Sequence, residues 1–204
     1  MKKLSLLLIS VVLITACTRK PKFLSPELTA KPPKVVLVLP PENQTSNTNV
    51  EEVAYPILMT ALAQRGYYVI APELARNIFN KNKLEDAGRI NTLPVQKFKE
   101  IFNADAVLKV KVTEWSSKYI LISSTVNVGL QLELFDTQSG EPLWMDEFLL
   151  SASPGNNDSG ILAALINNAI HAASVPYDPI ALQNATIQYQ TIPEGPHYGK
   201  WPEK

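Results

Sequence analysis

From Ala106 to Leu134 the apolar residues fall on even numbers: Leu108, Val110, Val112, Ile120, Ile122, Val126, Val128, Leu130, Leu132 and Leu134. Lys109, Lys111, Thr113, Thr125, Asn127, Gln131 and Glu133 take the odd ones. A period of two sustained this long predicts half-buried antiparallel strands with one wet face. Asp136-Thr137-Gln138-Ser139-Gly140 supplies a turn, because Asp can bond the backbone ahead of it and Gly can take a positive φ. Pro142 to Ser151 then returns as a strand. Such a meander has an apolar face that must be covered by another layer.

The residues before it provide that layer. Val35-Val36-Leu37-Val38-Leu39 is a continuous apolar run, as expected of a strand covered on both faces, and Pro40-Pro41 ends it. Thr48-Asn49-Val50-Glu51 fits a capping box. Val53, Ala54, Ile57, Leu58, Ala61 and Leu62 follow at helical spacing, with Gly66 placed to end the helix. Pro56 predicts a kink or a later start. Tyr67-Tyr68-Val69-Ile70 reads as a second strand, one tyrosine ring to each side of the sheet. Strand, helix and strand make a βαβ unit with parallel strands. Pro72 opens a helix to Phe79, Asn80 to Asn91 reads as loop, and Leu93 to Phe102 as a short helix. Asn157-Asp158-Ser159 caps a last helix, Gly160 to Ala173, apolar nearly all round. The fold class is therefore α+β, an α/β sandwich over residues 34–175 in one domain. In it a βαβ unit precedes an antiparallel meander, and helices pack mainly on one face of a mixed five-stranded sheet.

The N-terminus fixes where such a domain would live. Met1-Lys2-Lys3 is basic, and Leu4 to Ile14 is apolar but too short to span a bilayer, which takes about 20 residues. Ile14-Thr15-Ala16-Cys17 resembles the lipobox of bacterial lipoproteins. That resemblance implies a signal peptide over 1–16, lipid on Cys17, which is the only cysteine in the chain, and outer-membrane sorting, since Thr18 rather than Asp follows it. Residues 17–33 carry Pro21, Pro26, Pro32 and Pro33 and read as an extended tether, about 3.1 Å per residue and so up to about 50 Å. Residues 176–204, with Tyr189, Tyr198 and Trp201, form a strap over the domain or a tail.

The chemistry on offer is sparse. Removing residues 1–16 takes Lys2 and Lys3 from 19 basic residues and leaves 17 against 19 acidic ones, net −2, so there is no basic field for nucleic acid. His171 and His197 are the only histidines, and no carboxylates share a metal-ligand spacing with them. Glu51-Glu52 suits a helix start, Asp105 and Asp136 suit turns, and Ser123 and Ser124 sit in a strand with no evident base. The expectation is no enzyme, no metal and no cofactor beyond the covalent lipid.

Leu39-Pro40-Pro41 with Asn43, Arg65-Gly66-Tyr67-Tyr68-Val69, Glu100 to Leu108, and Gly140-Glu141-Pro142-Leu143-Trp144 resemble a bacterial lipoprotein family of unassigned function, to which a neisserial surface-antigen candidate belongs. Gly195-Pro196-His197-Tyr198 resembles a degraded form of that family's C-terminal Gly-Pro-x-His segment. Asn103 stands where the family usually has Gly; Asn tolerates the left-handed conformation, so the helix end should survive. The resemblance implies a fold like the TolB N-terminal domain and CsgG-type lipoproteins, and brings no catalytic residues. The expected function is a non-catalytic outer-membrane lipoprotein whose periplasmic domain binds proteins of an envelope assembly, export or transport complex, a CsgG-type lipoprotein among the candidates. Tyr67, Tyr68, Tyr198 and Trp201 are the candidate contacts, with a homodimer or larger ring as a second expectation. The alternative is a binding module for a small or lipid-like ligand.

Overall fold

A computed structural model describes residues 20–48, 50–120, 123–152 and 191–199. Cys17, His171, Trp201 and the expected helix of residues 160–173 lie outside them. In chain order the elements are β1 (Phe23–Leu24), α1 (Pro26–Ala30), β2 (Val35–Val38), β3 (Glu42–Asn43), α2 (Val50–Gln64), β4 (Tyr68–Val69), α3 (Pro72–Lys81), α4 (Ala87–Asn91), α5 (Gln96–Phe102), β5 (Ala106–Ile120), β6 (Ser123–Asp136) and β7 (Pro142–Ala152). All strands join one mixed sheet in the order β1-β7-β6-β5-β2-β4, with β3 pairing β5 off that path. The α+β fold is as expected: β2 and β4 are parallel, and β5, β6 and β7 form the antiparallel meander. The five expected strands are present, and the two-residue strands β1 and β3 bring the total among the described residues to seven.

β2 explains the layering. Its alternate side chains leave on opposite faces. Val36 and Val38 meet Ala54, Leu58, Ala61 and Leu62 of α2 together with Leu108, Val110, Leu132 and Leu134 of the meander. Leu37 and Leu39 meet Ala75 and Phe79 of α3, Ile90 of α4 and Phe98 of α5. Helices therefore cover both faces, α2 on one and α3 to α5 on the other, not mainly one. Phe79 packs edge-on to Phe98 and Phe102, with ring centres 6.4 and 4.9 Å apart. The hydroxyl of Tyr55 donates to the Val38 carbonyl at 2.9 Å and pins α2 to the end of β2. α2 begins at Val50 and contains Pro56, which rules out the later start.

Two other readings change. The tether is not extended throughout: Phe23 and Leu24 pair with Met145 and Trp144 of β7, and α1 follows, with Leu28 fully buried. Ser25 caps that helix through its hydroxyl and Pro26 opens it, so Pro26 starts a helix turn instead of marking extended chain. The loop from Asn80 to Asn91 contains α4, capped by the Asp86 carboxylate on the Arg89 N–H.

In β6 the even residues Val128, Leu130, Leu132 and Leu134 are all buried, but in β5 the even register holds only to Val112. A bulge at Thr113 shifts the pairing so that Trp115, opposite Val128, turns into the core. Gly129 faces the bulge, where an added Cβ would lie 2.5 Å from the Thr113 hydroxyl. The β6–β7 turn closes as expected, the Asp136 carboxylate accepting from the N–H groups of Gln138 and Ser139 and Gly140 taking φ +83.

Candidate partner-binding surface

At the C-terminal end of α2 the chain turns sharply through Gly66, whose φ is +87. Tyr67 then enters the core with no exposed surface, while Tyr68, on the edge strand β4, is 57% exposed. The expected division of the two rings is present, and it removes Tyr67 from the candidate contacts. Its hydroxyl donates to the Pro193 carbonyl at 2.8 Å, and burial holds its proton well above the usual tyrosine range against the opposing pull of the Arg65 guanidinium. It serves as a neutral donor.

That bond is one of several that dock residues 191–199. The Thr191 hydroxyl donates to the Asp146 carboxylate at 2.7 Å, and Ile192 is fully buried in the α2-side core. The Gly195 N–H donates to the Arg65 carbonyl at 2.8 Å and the His197 N–H to the Gly66 carbonyl at 3.0 Å. Gly195 passes so close to the Gly66–Tyr67 peptide that no side chain fits there. The Gly-Pro-x-His resemblance therefore marks a docking segment.

Arg65 joins the two pieces. Its Nη2 donates to the Ile192 carbonyl at 2.7 Å, its Nη1 lies 3.8 Å from the Glu194 carboxylate, and its guanidinium carbon sits 5.6 Å from the centre of the Tyr198 ring. A guanidinium on an aromatic face is attracted by the ring quadrupole. Tyr198 is thus held in place yet remains 45% exposed. Fixed aromatic side chains beside an arginine are the composition that dominates protein interfaces, because they bring contact area with little entropy left to lose. Sequence reasoning named Tyr68 and Tyr198 but missed Arg65, which stood only inside the quoted Arg-Gly-Tyr-Tyr segment.

Glu51 and Glu52 sit in the first turn of α2. The Asp105 carboxylate accepts from the N–H groups of Lys34 and Val35 and from the Lys99 ammonium at 2.9 Å. Burial pushes that carboxyl up, but these donors outweigh it and hold it below the usual carboxylate range. Among the described residues no group of three or more His, Cys, Asp or Glu is arranged to hold a metal. A cleft between α2, α3 and α4, with Glu51, Tyr55, Arg76 and Phe79 in its wall, has a volume of about 130 Å³. Small-molecule sites run from about 300 Å³ upward.

The family model described as "Putative lipoprotein GNA1162-like" matches residues 26–190. The Neisseria meningitidis "Putative lipoprotein NMB1124/NMB1162" is 30% identical over 173 residues, 84% of this chain and 80% of that protein. The crystal structure of lipoprotein GNA1162 from Neisseria meningitidis superposes with a TM-score of 0.58 at 28% identity, covering 68% of this chain and 96% of that one.

Proposed function

The chain belongs to the GNA1162-like lipoprotein family, and on that premise we propose that it is an outer-membrane lipoprotein, acylated on Cys17, whose domain faces the periplasm and binds another protein of the envelope without catalysing a reaction. The observation that carries the protein-binding reading is the pair of exposed tyrosines at the β4 edge, one of them fixed by Arg65 and the docked strap. The 130 Å³ cleft gives the small-ligand alternative no comparable support. A photo-crosslinking residue at Tyr68 or Tyr198, introduced in living cells, gives discrete adducts that a probe at exposed Glu100 does not. Equal adduct patterns at all three positions would overturn the assignment of the surface. Light scattering on the lipid-free chain tests the homo-oligomer: a concentration-dependent mass makes the partner a second copy, and a monomer at tens of micromolar removes that option.

A further inference from the structure

The β1 edge is the other end of the sheet, and its chemistry differs from that of β4. Phe23 and Leu24 are each 41% exposed on this two-residue edge strand. The Ser25 N–H donates to the Leu143 carbonyl at 2.8 Å, so the strand is fixed to β7 and does not hang free. Charge is segregated along the chain. From Cys17 to Lys34 there are five basic residues (Arg19, Lys20, Lys22, Lys31 and Lys34) and one acid, Glu27; after Lys34 there are 12 basic and 18 acidic. Lys20, Lys22, Lys31 and Lys34 are all exposed, and the Lys22 ammonium pairs with the Glu147 carboxylate of β7.

Cys17 lies only six residues before Phe23. Six residues reach at most about 20 Å when fully extended, so a lipid on Cys17 keeps this edge close to the bilayer. We propose that the β1 edge is a membrane-contact surface, with Phe23 and Leu24 in the headgroup layer and Lys20 against anionic phospholipid. This inference rests on the acylation of Cys17 proposed above. A positive segment is drawn to an anionic leaflet while the net-negative remainder is pushed from it, and both forces act within the Debye length of about 10 Å. The domain therefore stands edge-on. Five strand spacings of about 4.8 Å place β4, with Tyr68, about 24 Å further from the bilayer than β1.

The test uses the full mature chain, purified from membranes and reconstituted in phosphatidylethanolamine–phosphatidylglycerol vesicles. With the Cys17 thiol acylated, Leu24→Cys gives a single site for a nitroxide label, and Ala71→Cys gives one just beyond β4; Phe23→Cys replaces Leu24→Cys if that variant fails to fold. The label at Leu24 should lose collisions with a water-soluble nickel chelate several-fold, and the label at Ala71 should not. Protection at Leu24 should fall in pure phosphatidylcholine vesicles and in a Lys20→Glu background. Equal collision rates at Leu24 and Ala71 on an acylated, vesicle-bound chain would overturn the inference. So would protection indifferent to lipid charge, or spin–spin broadening at Leu24, which would mean a second copy covers the edge. A chain whose mass spectrum lacks acyl groups would instead overturn the reading of Cys17.

Discussion

Gly195 rests on the Gly66 carbonyl: a Cβ built on Gly195 would lie 2.5 Å from that oxygen and 2.9 Å from the Tyr67 nitrogen. The atoms in the way are backbone, which has little room to move. Gly195→Ala should therefore lift the strap off the α2–β4 corner and cost about 1–3 kcal/mol, the usual range for overpacking. Urea unfolding measures it, and an unchanged midpoint would mean that the strap is not held there.

Ile192 offers the complementary test, since it removes volume where the previous change adds it. Its side chain is fully buried in the same core as α2 and the meander. Ile192→Ala should cost about 2–4 kcal/mol, and Tyr67→Phe, which orphans the Pro193 carbonyl, about 1 kcal/mol. A loss below half a kilocalorie from Ile192→Ala, within the range of surface substitutions, would place the strap outside the cooperative unit.

Asp105 gives the domain an acid limb. Its folded pKa lies below the unfolded value, so its stabilising effect is present above the unfolded pKa, about 3.9, and is lost as pH falls through the folded one. Asp105→Asn should flatten the stability profile below about pH 4 and leave its shape near neutrality unchanged. Identical acid limbs in the two proteins would show that another carboxylate governs acid unfolding.

Cys17→Ala should abolish palmitate incorporation and release the chain from the membrane fraction, or leave its N-terminal segment uncleaved. Labelling followed by fractionation reads this directly, and equal labelling in wild type and variant would end the lipoprotein reading of this cysteine.

The meander was legible because its two faces differ: alternation shows wherever one side is wet. It failed at Thr113, since a bulge inserts a residue without changing composition, and only Trp115 on an odd number hinted at it. The N-terminal segment misled for another reason. Pro21, Pro26, Pro32 and Pro33 suggest an extended chain, yet Ser25-Pro26-Glu27 is also a helix start with cap, opening proline and acidic first turn. Of the candidate surface, Tyr68 and Tyr198 were visible as aromatics near turns. Arg65 was not, because its role depends on a strap more than 120 positions away, and no local pattern encodes such a pairing.

Leu28 and Ile192, 164 positions apart, are buried in the same apolar cluster. A chain that crosses the inner membrane N-terminus first must therefore wait for almost its whole length before this cluster can close. Until residue 192 emerges, the ends of α2 and β4 lack their cover, and the nascent domain should be open to proteolysis. For the exported lipoprotein proposed above, export and folding would finish together, and a chain stalled or truncated before the strap should be degraded. Pulse-chase of a chain ending at residue 176 would show this as a shortened half-life beside the full-length protein; equal half-lives would mean that the domain closes without its last segment.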